Sequence, residues 1–225
     1  TGVTWTIDYS AATLSASTDY FRVNSGIMEA RDLDGDVIWF SPSIDISNYL
    51  SVSIALDAAE NGNQSGTEGI NSEYRIDGGA WTLFDSNGSL FDDFSTATVS
   101  QSNLSGSTLE IRITINNAAN NDRHRIDNIL VQGIAITAPL SPTITSIDEG
   151  NEQLIVNFTP GNDGGSPITD FEYSIDNGSN WVSAGTTSTP ILITGLTNGT
   201  SYNVQVRGIN AIGYGDASNT VVGTP

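Results

Sequence analysis

Leu196-Thr-Asn-Gly-Thr-Ser-Tyr-Asn-Val-Gln-Val-Arg-Gly-Ile-Asn-Ala-Ile-Gly-Tyr-Gly-Asp-Ala-Ser218 decides the fold. Tyr202, Val204 and Val206 alternate with polar residues, the two-residue period of a strand with one buried face. Thr197-Asn-Gly-Thr200 ahead of them has the composition of a turn. Working outward, the same alternation recurs at Leu50, Val52, Ile54 and Leu56, and at Leu109, Ile111, Ile113 and Ile115. Gly, Asn, Asp and Ser clusters separate these runs, and no stretch shows a helical period. The pattern is that of an all-β protein built as sandwiches of short strands.

A seam falls at Ala138-Pro-Leu-Ser-Pro142, where two prolines stand between apolar strands. It divides the chain into residues 1–137 and 138–225. The first part holds 18 acids and six arginines and the second eight acids and Arg207, so both are acidic. Each part also carries a hairpin pattern. Tyr74-Arg-Ile-Asp-Gly-Gly-Ala-Trp81 reads as two strands about a Gly-Gly turn, with Ile76 facing Trp81 and both Trp39 and Trp81 directed inward. Tyr173-Ser-Ile-Asp-Asn-Gly-Ser-Asn-Trp181 repeats it with one more residue, and Asn177-Gly178 supplies the positive φ of a tight turn.

Residues 139–225 resemble a fibronectin type III module. The resemblance rests on SPTITSIDEGNEQLIVNFTP, SPITDFEYSID and the stretch from Ile191 to Ser218. It implies a second sandwich in which the Tyr202 hydroxyl ties the preceding turn to backbone. Phe158 stands where many members carry tryptophan. Such a module implies a spacer role more readily than a ligand of its own.

In residues 1–137, roughly eight strand candidates suit a two-sheet jelly roll. They lie around residues 5–9, 20–23, 27–31, 37–40, 50–56, 73–84, 109–115 and 125–131. The ending Arg125-Ile-Asp-Asn-Ile-Leu-Val131 resembles the last strand of galactose-binding-like jelly-roll modules of secreted bacterial proteins, and the run from Glu29 to Ser47, followed by Tyr74–Trp81, resembles domains appended to secreted polysaccharide-degrading or adhesive proteins. That resemblance implies carbohydrate binding, often with a structural calcium ion, and no catalysis.

Asp32, Asp34 and Asp36 are the densest carboxylate cluster, able either to offer oxygens to calcium or to form a solvated turn. Asp127, with Asp8, Asp57 or Glu68, is a second candidate. Arg75 and Arg112 fall on outward strand positions beside Glu73 and Glu110. The short loop before Arg123 and Arg125 places their strand beside that of Arg112. These four guanidiniums either bind sugar hydroxyls, carboxylates or sulfates through their forks, or lace the sheet to nearby acids. Trp5 and Tyr9, on an edge strand, are candidate stacking platforms, whereas Phe84, Phe91 and Phe94 either line a groove or anchor a loop.

Composition removes other functions. The 225 residues contain no cysteine and no lysine, so disulfides, thiolate chemistry and Schiff bases are absent. A net charge of −19 opposes nucleic acid and anionic membranes, and no apolar run suits a membrane span. His124 is the sole histidine and lacks a nucleophile-elbow motif around it. The opening Thr-Gly-Val-Thr-Trp carries neither a leader pattern nor an initiator methionine, as expected of a piece of a longer or processed protein. The expectation is therefore a non-catalytic polysaccharide-binding domain with a spacer, in a larger secreted or cell-surface bacterial protein. The alternative is a calcium-stabilised stalk or adhesin segment without glycan specificity.

Overall fold

The computed structural model describes residues 5–8, 10–12, 20–33, 35–62, 68–91, 94–117 and 123–225. It contains two compact units, Thr1–Ile134 and Ala135–Pro225. No helix occurs among the described residues. The all-β class read from the two-residue period is what the chain adopts.

The first unit holds β1 (Thr6–Asp8), β2 (Tyr20–Asn24), β3 (Ile27–Arg31), β4 (Asp36–Phe40), β5 (Ile44–Asp45) and β6 (Tyr49–Asn61). These are followed by β7 (Gly69–Ile76), β8 (Thr82–Leu83), β9 (Ser89–Phe91), β10 (Thr96–Leu104), β11 (Thr108–Asn116) and β12 (Arg123–Ala135). One sheet runs β1-β4-β11-β7-β8, with β5 on β11 and β9 on β7; the other runs β10-β6-β12-β3-β2. The chain crosses between sheets at β1–β2, β3–β4, β5–β6, β6–β7, β9–β10, β10–β11 and β11–β12, which is jelly-roll connectivity. Every second residue of β11 enters the space between the sheets. Leu109, Ile111, Ile113 and Ile115 are each fully buried, worth roughly 1.5–3 kcal/mol apiece. Trp39 from β4 and Ile54, Leu56 and Ile126 from the opposite sheet complete that core.

The second unit holds β13 (Thr143–Gly150), β14 (Gln153–Thr159), β15 (Asp170–Ser174), β16 (Val182–Ser183), β17 (Ile191–Thr194), β18 (Tyr202–Ile209) and β19 (Val221–Gly223). A three-stranded sheet, β13-β14-β17, faces a four-stranded one, β16-β15-β18-β19. The Thr197 N–H donates to the Tyr202 hydroxyl at 3.0 Å, the corner bond expected from the sequence. Phe158 fills its core position by edge contact with Phe171, ring centroids 4.8 Å apart.

The two hairpins behave differently. Asn177 and Gly178 both take positive φ, as expected. In the first unit the turn centres on Asp77 and Gly78, at φ 52° and 70°, rather than on Gly78-Gly79. Glu73 then pairs with Leu83 and Tyr74 with Thr82. This is one residue away from the expected pairing, and in a strand such a slip exchanges the faces. Trp39 points inward as expected, but Trp81 stands on the outer surface.

Candidate functional site

The outer face of the β1-β4-β11-β7-β8 sheet presents Arg75 and Arg112, whose neighbours along each strand point into the core. Their guanidiniums are engaged by direct cross-strand partners. Arg75 donates through Nε and Nη2 to Glu110 at 2.7 and 3.0 Å, and Arg112 likewise to Glu73 at 2.7 Å twice. Trp81 lies against both, 4.7 Å from Arg75 and 4.6 Å from Arg112, with Phe40 beside it at 6.0 Å. The planar forks are thus filled by carboxylates and stacked on an indole, the lacing alternative of the sequence reading.

Arg123 and Arg125 are not beside Arg112. Their strand β12 belongs to the other sheet and pairs with β3. The short loop after β11 spans the gap between sheets instead of joining neighbours in one sheet, as a jelly roll requires. On this second outer face, Arg125 and Arg22 converge on Glu29, which is buried. Arg125 Nε reaches Oε1 at 3.0 Å, and Arg22 Nε and Nη2 reach Oε2 at 3.2 and 3.0 Å. Burial raises the Glu29 pKa, but the Arg22 hydrogen bond and the charges of Arg125 and Arg22 outweigh it and leave the carboxyl below its usual range. Arg22 also covers the Tyr20 ring at 4.1 Å.

Beside this ridge of long side chains the same face sinks into a groove of about 510 Å³. Its floor is low because β6 and β10 turn short side chains outward there, Ala59 against Thr96 and Asp57 against Thr98. Arg125, Asp127 and Asn128 from β12 form the opposing side. The Asp57 carboxylate accepts from the Thr98 hydroxyl at 3.3 Å and from Asn128 Nδ2 at 2.9 Å. Asn128 holds a φ of 51°, a left-handed conformation asparagine tolerates better than most residues. Carboxylates, an amide, hydroxyls and a guanidinium therefore share one open, sheet-floored concavity.

The remaining sequence candidates disperse. Asp127 and Asp57 line the same groove, whereas Glu68 is buried and Asp8 lies exposed on β1, in the other sheet. Asp32 is buried at a φ of 50°, its N–H donating to Asn117 Oδ1 at 3.1 Å. Asp36 is exposed and accepts from Asn116 Nδ2 at 2.8 Å. Asp34 and Tyr9 lie outside the described residues. Among the described residues no group of three or more metal-ligating side chains converges. Trp5 packs partly buried against the core. Phe84 is a core residue, Phe91 is exposed, and Phe94 stacks on His124 at 6.1 Å. His124 itself is fully buried with Nδ1 3.3 Å from Asn117 Nδ2.

Sequence reasoning missed Asp57's partners Thr98 and Asn128, and with them the groove. The available signal was the run of short outward residues on two long strands, legible only once β6 and β10 are known to pair.

The family model for the fibronectin type III domain matches residues 137–224. No curated protein matches the chain. Among solved structures, a myokine structure is 21% identical, covering 39% of this chain and 99% of its own at a TM-score of 0.33. Titin kinase with its flanking domains is 24% identical, covering 37% of this chain and 16% of its own at 0.32. A β-1,2-glucanase from Parabacteroides distasonis is 12% identical, covering 88% of this chain and 32% of its own at 0.32. With the corner tyrosine in place and the strands ordered β13-β14-β17 and β16-β15-β18-β19, residues 137–224 are a fibronectin type III domain.

Proposed function

We propose that the first unit is a non-catalytic polysaccharide-binding domain. The fibronectin type III domain then serves as its spacer within a larger secreted or cell-surface bacterial protein. The observation that carries this reading is the groove in which Asp57, Arg125, Asp127 and Asn128 meet the Thr96 and Thr98 side chains. Sugar rings offer many hydroxyls that both donate and accept. A shallow surface with fixed carboxylate, amide and guanidinium groups matches that chemistry without enclosing a single small molecule. An open groove also suits a polymer, which must enter and leave sideways. The hydrogen bonds that Thr98 and Asn128 make to Asp57 hold the carboxylate before ligand arrives, lowering the ordering cost of binding.

The test is calorimetric titration of the whole chain against neutral, uronic and sulfated polysaccharides. Asp57→Ala is expected to weaken binding about tenfold, the equivalent of roughly 1.4 kcal/mol. Failure to bind any member of the panel would remove the reading.

A further inference from the structure

The groove differs from the rest of the sheet surfaces in how its charges are matched. Five of the seven arginines form ion pairs with glutamates: Arg22 and Arg125 with Glu29, Arg75 with Glu110, Arg112 with Glu73, and Arg207 with Glu172. Asp57 and Asp127, which both line the groove, have no such partner among the described residues. Neutral donors hold them instead. Asp57 accepts from the Thr98 hydroxyl and from Asn128 Nδ2, and Asp127 accepts from the Asn128 N–H at 2.7 Å. Such donors satisfy lone pairs but leave the charge uncompensated.

The nearby cations are committed or distant. Among the described residues Arg125 is the one basic residue lining the groove, and its Nε is engaged by Glu29 at 3.0 Å. Arg123 stands four residues along β12 from Asp127, about 13 Å of extended strand. That exceeds the roughly 8 Å over which a charge acts at physiological ionic strength. All seven arginines and His124 are among the described residues, whereas Asp19, Asp34, Asp92, Asp93 and Asp122 lie outside them. Those other side chains therefore add negative charge and no positive charge.

Resting on the glycan reading above, we infer that the groove takes a cationic polysaccharide, a polymer of amino sugars whose ammonium groups lie against Asp57 and Asp127. A sugar hydroxyl gives a carboxylate a neutral donor, whereas an ammonium makes a charge-assisted bond, roughly twice as strong as a neutral one. Thr96, Thr98 and Asn128 remain for the ring hydroxyls. The net charge of −19 acts in the same direction, drawing a polycation toward the protein and repelling uronic or sulfated chains. A neutral counterpart meets the same hydroxyls and amide but binds less tightly.

The experiment is calorimetric titration of the whole chain at about pH 6 and 0.15 M salt. The probes are the hexamer of β-1,4-linked glucosamine and its N-acetylated form, which has the same rings and linkage without the charge. The glucosamine hexamer is expected to bind about tenfold more tightly. Asp127→Asn keeps an acceptor for the Asn128 N–H while removing the charge, and Asp57→Asn keeps one for Thr98 or Asn128. Each should cut the preference to about threefold or less. Asp216→Asn takes the same charge from an exposed position in the second unit and should keep the preference in full. A preference that survives both groove variants, or that Asp216→Asn lowers as much, is diffuse attraction to an acidic protein and overturns the inference. Equal or tighter binding of the N-acetylated hexamer, or binding only to members of the neutral, uronic and sulfated panel, overturns it and leaves the groove reading intact. Binding to no glycan overturns both.

Discussion

The guanidinium of Arg112 lies 4.6 Å from the Trp81 ring while its Nε and Nη2 both donate to Glu73 at 2.7 Å. The second domain builds the same constellation: Arg207 stands 4.3 Å from Trp181 and donates from Nε to Glu172 at 2.8 Å. In both, a Glu-Tyr pair opens a hairpin, Ile-Asp leads into its turn, and tryptophan returns onto the outer face over an arginine of the adjacent strand. The indole covers an ion pair that would otherwise be fully hydrated, so each strengthens the other.

Trp81 is therefore expected to matter for stability rather than for ligand. Trp81→Ala strips two guanidinium contacts and the Phe40 contact, and should cost roughly 2 kcal/mol of first-domain stability. Polysaccharide affinity should not change, since the groove lies on the other sheet. Urea unfolding paired with titration checks both halves. Unchanged stability with lost binding would make Trp81 a sugar platform instead.

Tyr202 tests the corner of the second domain. Tyr202→Phe keeps the ring but leaves the Thr197 N–H without its acceptor, which should lower stability by about 1 kcal/mol. The unfolding transition of the first domain should stay where it is, as the two units have separate cores.

Period-two alternation made the fold class legible, because burial on one face of a strand is written in the strand's own residues. Tyr202 and Asn177-Gly178 were legible for the same reason: each acts within a few residues of its own position. What depends on distant pairing was not. The turn at Asp77-Gly78 in place of Gly78-Gly79 moved Trp81 from core to surface by a single residue of register. The assignment of Arg123 and Arg125 to the sheet of Arg112 failed because a short loop is equally able to cross a sandwich. Pairing Asp57 with Asn128 required knowing that β6 and β12 are neighbours, although their sequences lie 71 residues apart at that contact.

Asp176 supplies a local acid–base prediction. Its carboxylate accepts from Asn180 Nδ2 at 2.6 Å, from the Asn180 N–H at 2.9 Å and from the Ser174 hydroxyl at 2.7 Å, and these bonds bring its pKa down to about 2. A depressed carboxyl favours the folded state above the ordinary value of 3.8, and that contribution is lost as pH falls through about 2. Carbonyl-detected NMR titration should find Asp176 still ionised at pH 3. A midpoint near 4 would show that the turn network does not persist in solution.

His124 gives the chain its clearest response to mild acid. Burial alone depresses its pKa from 6.5 to about 4, because the imidazolium would have to sit between the Asn117 amide and the Phe94 ring without water. Between those two values the unfolded chain binds a proton that the folded chain refuses. First-domain stability is therefore complete above pH 6.5 and declines as pH falls toward 4, by about 3 kcal/mol in all. His124→Leu removes the titrating group at the cost of the Asn117 contact. The variant should start lower at neutral pH yet show a much flatter loss between pH 6.5 and 4, measured by urea unfolding of the first domain at several pH values. Parallel curves for the parent and the variant would mean that His124 reaches solvent and protonates in the folded state.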